Sequence, residues 1–562
     1  MANKLELTWY GKDEPIRVEP RLLIENAALS NTASDPDTQN MLIHGDNLLA
    51  LKALESKYAG QVKCIYIDPP FNTGQAFENY DDNLEMSIWL DLMRSRLQIL
   101  HTLLKDDGTL FVHIDDQNLP YITILLDEIF GKQNRLYLIT FKQGAATGHK
   151  AINPGCVTTT NFILIYSRNK ASWNPHRVYT KRGRDDRYTK FITNINDTYS
   201  NWNIITLIEA FAQANEIDVP TARKRVKDNP ILLEQFVIHN AVSVIRTARP
   251  DMKSVGKEKQ EMVMASKDRP SDILYLHREG NPDMYFINGE RILFYKDKLK
   301  NIDGELVSAE PLTTLWDDIL SNNLHKEGNV SFPKGKKPEY LIKRILEIAT
   351  DEGDLVMDSF LGSGTTIAVA HKMKRRWMGV EMGEQAYTHC KPRLDAVIED
   401  NDKSGITKAV NWHGGGGYRF YEVAPTLINK DPFDEYVINE AYDADMLAAA
   451  VALHEGFRYQ PDSSLFWKQS VGNESSYLFV TTRHLNSTYL DSIKDTMEEG
   501  EYLIIACRSF DSGLDKAYGN ITVKKIPQML LDRCEFGKTD YNLNIVHPPV
   551  YDDEAEEEEQ DE

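Results

Sequence analysis

The sequence predicts an α/β protein whose main sheet is built from two stretches of chain that lie far apart. From Asn40 to Asn169, apolar strand-like runs alternate with segments of helical periodicity, which is typical of a parallel sheet covered by helices. The same alternation returns from about 330 to 399, whereas the pattern between about 168 and 315 is irregular. We therefore expect the two regular stretches to form one sheet that an insertion interrupts.

Individual elements follow from short patterns in these stretches. "MLIHGD" and "VKCIYID" predict buried strands, and "SIWLDLMRSRLQILHTLLKDDG" predicts a helix that stops at Gly108, before a strand in "TLFVHID". Later, "DLVMDSFLGSGTTIAVAHKMKRRWMGVEM" predicts a strand ending at Asp358, a glycine turn, a helix from about Thr365 and a strand ending at Glu381. "HGGGGYRFYEV" predicts a flexible loop and a short strand. From about Pro425 to Pro549, mixed helices and strands predict a separate α/β C-terminal domain.

Length and composition indicate a folded, cytosolic protein of several domains. The chain has 562 residues, of which 41% are hydrophobic, and no stretch approaches the length of a membrane span. The N-terminus lacks the pattern of a signal peptide. Five cysteines are scattered without the spacing of a zinc site, so we expect no metal and mostly buried, reduced thiols.

The acidic net charge does not exclude a nucleic-acid partner. The formal charge is -21, but the final "DDEAEEEEQDE" supplies nine of the negative charges. Binding to a polyanion depends on local basic patches rather than on the total charge. The tail itself is compatible with a partner contact, with DNA mimicry or with a solubilising role.

The stretch "IYIDPPFNTG" places a carboxylate and an aromatic ring at the end of a strand. Ligands of open α/β sheets bind at the carboxyl ends of the strands, where Asp68 stands. The two prolines hold the chain extended and supply no N–H groups, so Asp68 and the Pro69 carbonyl become two acceptors beside the Phe71 ring. An exocyclic amino group on a planar base is the complement of this set. The alternative is a capping turn with Phe71 in the core.

The glycine turn of "MDSFLGSGTT" suits an adenosine-containing ligand. Gly362 and Gly364 permit a tight turn with backbone N–H groups open to a ligand. The turn matches neither the P-loop nor the dinucleotide pattern. Glu381 follows about twenty residues later, a position from which an acid can bind ribose hydroxyls. An ordinary packing turn between strand and helix is the alternative.

Taken together, these motifs resemble those of the amino-methyltransferases. "DPPF" is similar to their [DNS]-P-P-[YFW] motif, and "DSFLGSGTT" is similar to their F-x-G-x-G motif for S-adenosyl-L-methionine. The catalytic motif precedes the cofactor motif, as in the circularly permuted β-class DNA methyltransferases. "LTWYGK", "IHGDNLLALKAL" and "FPKGKKPEYLIKRIL" extend the resemblance to the modification (Mod) subunits of type III restriction-modification systems, over about residues 5 to 425. The chain departs from the pattern at Phe71, where tyrosine is frequent, and at Ser359.

The resemblance implies a fold, a cofactor and a set of site residues. The fold is a Rossmann-like methyltransferase sheet in permuted order, and the cofactor is S-adenosyl-L-methionine. Asp68 and the Pro69 carbonyl would accept from adenine N6 while Phe71 stacks on the base, and aspartate at the first position favours adenine N6 over cytosine N4. The implied catalytic residues are Asp68, Pro69, Pro70 and Phe71. The implied cofactor residues are Asp46, Lys337, Pro338, Asp358, Phe360, Gly362, Gly364, Thr365 and Glu381. For Asp46 alone, a strand-end cap is the better interpretation.

The resemblance also divides the chain and assigns partners. The divisions are 1–40, an N-terminal extension; 41–169, the first methyltransferase half; 170–315, an inserted target-recognition domain; 316–424, the second half; 425–550, a C-terminal domain for partner or dimer contacts; and 551–562, an acidic disordered tail. The implied partners are double-stranded DNA, a second copy of the chain and a separate helicase-nuclease subunit, in the cytoplasm and without a membrane. Cytosine-C5 chemistry would need an activated cysteine, and Cys156 lacks that family's pattern, so we assign it a structural role.

Basic residues in the insertion are candidates for DNA contacts, because a flipped base requires a grip on the duplex. These are Arg177, Lys181, Arg182, Arg184, Arg187 and Lys190, with Arg223, Lys224 and Arg225. The last three lie in "EAFAQANEIDVPTARKRV", which is compatible with a helix-turn-helix or with a solvated helical hairpin. Two other functions stay open: an amino-methyltransferase acting on cytosine N4 or RNA, and a DNA-recognition subunit whose methylation is secondary.

Overall fold

A computed structural model describes residues 6–13, 16–71, 86–144, 156–319, 324–332, 335–538 and 541. The predicted acidic tail at 551–562 lies outside the described residues, as does the end of the "IYIDPPFNTG" stretch at 72–74. The chain divides into two compact units. One comprises Met1–His176 and Thr314–Glu562, and the other comprises Arg177–Thr313.

The first segment of the larger unit contains the strands that lead to the DPPF motif. Its strands are β1 (Leu23–Glu25), β2 (Met41–His44), β3 (Val62–Ile67), β4 (Leu104–Ile114), β5 (Arg135–Lys142) and β6 (Thr160–Ser167). Its helices are α1 (Asn47–Tyr58), α2 (Met86–Leu103) and α3 (Leu119–Leu126).

The helix predicted to stop at Gly108 ends five residues earlier. α2 ends at Leu103, and β4 runs from Leu104 through Gly108. The pairing of β3 with β4 shifts register here, since Val62 faces Leu104 whereas Cys64 faces Thr109. A Cβ on Gly108 would lie 2.9 Å from the Val62 carbonyl oxygen. Gly108 therefore marks an irregularity of the strand, where backbones approach closely, and not a helix end.

The smaller unit is an α/β body made of short elements. Its strands are β7 (Tyr179–Lys181), β8 (Lys190–Ile192), β9 (Ile204–Thr206), β10 (Val244–Ala248), β11 (Leu274–Leu276), β12 (Met284–Ile287), β13 (Glu290–Phe294), β14 (Leu299–Ile302) and β15 (Glu305–Pro311). Its helices are α4 (Leu207–Ala214), α5 (Val219–Asp228), α6 (Ile231–His239) and α7 (Lys257–Asp268). One antiparallel sheet has the order β11-β12-β13-β10-β8-β9, and a smaller one has the order β14-β15-β7.

The remaining elements return to the larger unit. The strands are β16 (Leu315–Trp316), β17 (Leu355–Asp358), β18 (Arg376–Glu381), β19 (Arg419–Val423), β20 (Ile428–Lys430), β21 (Tyr436–Ile438), β22 (Arg458–Tyr459), β23 (Ser470–Val471), β24 (Ser476–Leu485), β25 (Tyr502–Phe510) and β26 (Ile521–Lys525). The helices are α8 (Glu339–Ala349), α9 (Thr365–Lys372), α10 (Lys391–Ile398), α11 (Ala444–Glu455), α12 (Ser487–Lys494) and α13 (Gln528–Leu531). β22 to β26 form a sheet of their own beside α11.

The main sheet joins both segments of the larger unit in the order β1-β19-β2-β18-β17-β3-β4-β6-β5-β16. The strands from β19 to β4 are parallel, which agrees with the predicted parallel sheet. Its flanks contain antiparallel pairs, because β1 pairs with β19, and β6 with β4 and β5, in opposite directions. The sheet is therefore mixed, with a parallel centre.

The core packs helices α1, α2 and α3 against the strands of this sheet. Buried contributors include Leu51, Ile65, Trp89, Leu100 and Met378. In the part of the chain that the structure describes, no helix is long and apolar enough to cross a membrane.

Candidate active site

Three motifs meet at the carboxyl edge of the parallel strands. β17 pairs with β3 on one side and with β18 on the other. Asp68 follows β3, the glycine turn follows β17, and Glu381 ends β18. Since parallel strands end at the same edge, residues almost three hundred positions apart become neighbours there.

The two oxygens of the Asp68 carboxylate differ in their partners. Its Oδ2 accepts from the Lys337 ammonium, and the two side chains are only 19% and 8% exposed. Its Oδ1 is buried without a hydrogen-bond partner within the described residues. Burial raises the pKa of the Asp68 carboxyl, and the Lys337 ammonium opposes that rise. A buried acceptor without a donor is costly unless a ligand supplies one.

The rest of DPPF is held by side chains from other elements. The Trp89 indole on α2 donates to the Pro70 carbonyl at 2.9 Å, and the Asn118 amide donates to the Phe71 carbonyl. Among the hydrogen bonds of the described residues, none reaches the Pro69 carbonyl. The Pro69 carbonyl and Asp68 Oδ1 are thus acceptors that the described part of the loop leaves available.

The Phe71 ring lies between aromatic and cationic neighbours. The His113 imidazole is stacked on it at 6.1 Å between ring centroids with a 25° angle between the planes. The Lys337 ammonium lies over it, 5.5 Å from the centroid. His113 is fully buried, and it contacts the Tyr66 hydroxyl at 3.1 Å and the Asn161 amide at 3.2 Å. Burial, helped by the Lys337 charge, lowers the pKa of His113 well below its usual value. A neutral imidazole therefore supports the ring.

The glycine turn is shaped by the Asp358 carboxylate. Oδ1 accepts from the Phe360 N–H at 2.9 Å, and Oδ2 accepts from the Thr366 hydroxyl at 2.6 Å. Burial raises the pKa of Asp358 to about 7, opposed by these two hydrogen bonds and reinforced by Asp68 and Glu381. Both oxygens are engaged inside the protein, so Asp358 is the residue that orders the turn.

Glu381 performs a similar task on the next strand. Its two oxygens accept from the Gly362 N–H at 2.7 Å and from the Gly383 N–H at 2.9 Å. The side chain is 2% exposed. The structure brings Glu381 to the glycine turn, where its carboxylate accepts from a backbone N–H group of the turn. Binding of ribose hydroxyls by Glu381 stays a prediction.

The two glycines of the turn differ in their surroundings. Gly362 has φ of +56°, and a Cβ added there would meet nothing within 4 Å among the described residues. Gly364 has φ of +77°, and an added Cβ would lie 3.1 Å from the Cys390 Cα. Gly364 thus serves packing, whereas Gly362 faces open space. The Ser359 hydroxyl in the same turn is buried and has no partner in the described part of the chain.

Asp46 is a helix cap that is linked to the same turn. Its Oδ1 accepts from the N–H groups of Leu48 and Leu49 at 2.8 and 3.1 Å, as expected of an N-cap. Its Oδ2 accepts from Arg96 at 3.1 Å. Arg96 also donates to the Asn47 side chain, which in turn donates to the Ser359 carbonyl at 2.7 Å.

Arg96 and Asn47 therefore belong to the candidate site, although neither was predicted as a site residue. A buried arginine on the apolar face of α2 is a sequence signal, because such a charge needs partners. Arg393 on α10 is a second case, since it is fully buried and donates to Thr365 Oγ1 at 2.8 Å.

Lys337 and Pro338 lie directly before α8, where Pro338 is the N-cap residue. The structure brings Lys337 to Asp68 and Phe71.

Glu339, the residue after Pro338, is the centre of a fully buried ionic cluster. It accepts from Lys372 at 2.8 and 3.0 Å, from Arg393 at 2.8 Å and from the Ile406 N–H at 3.0 Å, while Lys372 also pairs with Asp402.

The basic residues predicted to contact DNA all lie in the smaller unit, of which Arg177 is the first residue. Several are in ion pairs: Lys181 with Glu305, Arg184 with Asp186, and Arg187 with Asp185. The Arg177 guanidinium lies over the Tyr179 ring, and the Lys190 ammonium donates to the Thr247 hydroxyl at 3.3 Å. Arg182 also interacts with another residue of the protein.

The segment 209–226 folds as two helices, α4 and α5, joined at Asn215 to Asp218. Asp218 caps α5, on which Arg223, Lys224 and Arg225 are all exposed.

Cys156, which was predicted to have a structural role, is exposed, whereas Cys64, Cys390, Cys507 and Cys534 are buried.

Several known proteins are similar to this chain. The family model described as DNA methylase matches residues 62–392. A Haemophilus influenzae protein named "Probable type III restriction-modification enzyme HindVI Mod subunit" is 35% identical over 411 residues, 69% of this chain and 54% of that protein. The type III restriction-modification enzyme EcoP15I Mod subunit of Escherichia coli is 24% identical over 80% of this chain and 77% of its own. The chain thus spans about half the length of the Haemophilus relative.

Among solved structures, the PvuII DNA methyltransferase (cytosine-N4-specific) aligns with 67% of this chain and 95% of its own. The sequence identity is 15% and the TM-score is 0.30.

Proposed function

This chain belongs to the DNA methylase family, whose model matches residues 62–392, and on that premise we propose that it transfers a methyl group from S-adenosyl-L-methionine to adenine N6 of DNA. The observation that carries the proposal is Asp68, beside the Phe71 ring and next to the glycine turn, with a buried oxygen that has no hydrogen-bond partner in the described part of the chain. The Mod relatives support a role in a restriction-modification system.

The residues of the site fit S-adenosyl-L-methionine. Gly362 leaves space where any side chain would project, and the buried Ser359 hydroxyl and Asp68 Oδ1 have no partner within the described residues. The turn from Phe360 to Thr365 would hold the adenosine part, with Asp358 and Glu381 fixing its backbone, Asp46 securing it through Arg96, and Lys337 and Pro338 near the methionine part. When bound, the cofactor supplies an electrophilic methyl group.

The protein's part in the reaction is to position and desolvate the amino group. Asp68 Oδ1 and the Pro69 carbonyl would each accept one N–H, which turns the nitrogen lone pair away from the protein acceptors. Phe71, supported by His113, would stack on the base. Methyl transfer would form a C–N bond as the C–S bond of the sulfonium breaks, and the nitrogen, left cationic, would release one proton to water. The anionic Asp68 stabilises that charge, since its carboxylate accepts the hydrogen bond.

A base in a duplex cannot reach a buried carboxylate, so the target must be flipped out at a cost of a few kcal/mol. We assign the grip on DNA to the smaller unit, as a target-recognition domain inserted between the two halves of a permuted methyltransferase sheet. Arg223, Lys224 and Arg225 are its strongest candidates because they are exposed on α5. The ion-paired Lys181, Arg184 and Arg187 would have to exchange carboxylates for phosphates. A second copy of the chain and a helicase-nuclease subunit complete the proposed assembly.

Methyl transfer to DNA tests the proposal. Purified protein is incubated with labelled S-adenosyl-L-methionine and bacterial DNA, and the nucleosides are identified by mass spectrometry. We expect N6-methyladenine with the unaltered chain and none with Asp68→Ala. Asp351→Ala, which removes a carboxylate that is 76% exposed, is the matched control. N4-methylcytosine in place of N6-methyladenine would move the assignment to the other amino group, and full activity of Asp68→Ala would refute the site.

A further inference from the structure

Lys337 occupies the position that the proposed function reserves for a base. Its ammonium donates to Asp68 and lies over the Phe71 ring, and its side chain is 8% exposed. The ammonium lies over the face of Phe71 on which the base would stack, and it pairs with Oδ2 of the carboxylate whose Oδ1 the base would use. The base and Lys337 therefore compete for the Phe71 face and share the charge of Asp68.

We propose that Lys337 blocks the base site until the cofactor binds and draws Lys337 away. We call this pairing of Lys337 with Asp68 the latch. In the cofactor-free protein, Lys337 holds Asp68 and competes with the incoming base. The methionine part of the cofactor brings a carboxylate, a stronger partner for an ammonium than a neutral amino group is, and it draws Lys337 away from Asp68. This inference rests on the proposed function and adds an order of binding, in which the cofactor prepares the site before the base enters.

The latch makes a thermodynamic prediction that requires no DNA. Because Lys337 must leave Asp68 to reach a ligand carboxylate, the energy of the pair is subtracted from the binding of that ligand. Removing the Asp68 charge should therefore strengthen binding of a carboxylate-bearing ligand. The expected gain in affinity is about tenfold, equivalent to about 1.4 kcal/mol for breaking the ion pair. The affinity for ligands without the carboxylate should not change when the Asp68 charge is removed.

Isothermal titration of the full chain with two ligands measures this coupling. S-adenosyl-homocysteine carries the carboxylate without the sulfonium charge, and 5′-methylthioadenosine shares the nucleoside and thioether without the amino-acid part. The proteins are the unaltered chain, Asp68→Asn, Lys337→Met and the double variant. Lys374→Met is the control, because it removes the same charge from an exposed pair with Glu352. Asp68→Ser replaces Asp68→Asn should the latter fail to fold by circular dichroism.

We expect Asp68→Asn to bind S-adenosyl-homocysteine about tenfold more tightly than the unaltered chain does, and this gain should vanish in the Lys337→Met background. Binding of 5′-methylthioadenosine should stay unchanged in all variants. The latch is overturned when Asp68→Asn gives no gain, or gives the same gain without Lys337. Failure of the unaltered chain to bind either ligand would instead refute the proposed function.

Discussion

A single added methyl group at each glycine of the turn that we propose to bind the cofactor separates the effect on packing from the effect on ligand binding. Both have positive φ, at +56° for Gly362 and +77° for Gly364, so alanine at either position costs about 1–2 kcal/mol in backbone strain. At Gly364 the new Cβ also lies 3.1 Å from the Cys390 Cα and 3.4 Å from its Sγ, and overpacking of this kind adds about 1–3 kcal/mol. The new methyl of Gly362→Ala meets no atom of the described residues within 4 Å.

These free-energy costs predict that Gly364→Ala has the larger effect on stability and that Gly362→Ala has the larger effect on ligand affinity. Gly364→Ala should lower the urea midpoint more than Gly362→Ala does, because only Gly364 carries the packing cost. Gly362→Ala should weaken binding of S-adenosyl-homocysteine by more than about tenfold, equivalent to about 1.4 kcal/mol, since its methyl enters the space left for the ligand. Urea denaturation followed by tryptophan fluorescence, and titration calorimetry on the folded proteins, measure the two orders. Unchanged affinity in Gly362→Ala would refute the assignment of this turn to the cofactor.

Three further predictions concern charge. The pKa of Asp358 is raised to about 7, so the native state holds a proton that the unfolded state releases above about pH 4, and stability falls as pH rises from about 4 to about 7. Asp358→Asn should lose this slope in thermal melts across that range, and a retained slope would contradict the shift. Glu339→Gln leaves buried cations uncompensated and should cost about 3–5 kcal/mol, measured by urea denaturation. Glu352→Gln, in the exposed pair with Lys374, should cost less than about 1 kcal/mol, and equal losses would refute the importance of the buried cluster. Replacing Arg223, Lys224 and Arg225 on α5 by alanine should weaken DNA binding and lower the salt slope by about 0.9 for each phosphate that is no longer neutralised. Fluorescence anisotropy at several salt concentrations measures this slope, and an unchanged value would exclude the helix from the DNA interface.

Local pattern predicted the central strands because their signals are continuous. The strand ending at Asp358, the turn, the helix from Thr365 and the strand ending at Glu381 all lie within one short segment. An apolar run followed by glycines and a helical period requires no distant partner to be recognised.

Short or irregular elements were harder to predict. The smaller unit has several strands of three residues, such as Lys190–Ile192 and Ile204–Thr206, which are too short to show an alternating pattern. The sequence predicts a helix end at Gly108 because glycine commonly ends helices. One of its close neighbours, the Val62 carbonyl, comes from another strand, and the local sequence carries no sign of that contact.

The chemistry of the site depends on contacts between distant residues. Lys337 and Asp68 are 269 positions apart, and Trp89, Asn118 and His113 reach the DPPF loop from separate elements. Motif spacing identifies which residue types are present, but it cannot show that a lysine pairs with the aspartate or that a histidine supports the ring. Those relations follow only from the fold.

The proposed reaction, methyl transfer to adenine N6 at the Asp68 site, is measured by methylation-sensitive long-read sequencing of DNA from cells that carry this chain and from cells that carry Asp68→Ala. We predict N6-methyladenine at one recurrent sequence in the first population and none in the second. Methylation of that sequence in both populations, or a different modified base, would contradict the proposed reaction.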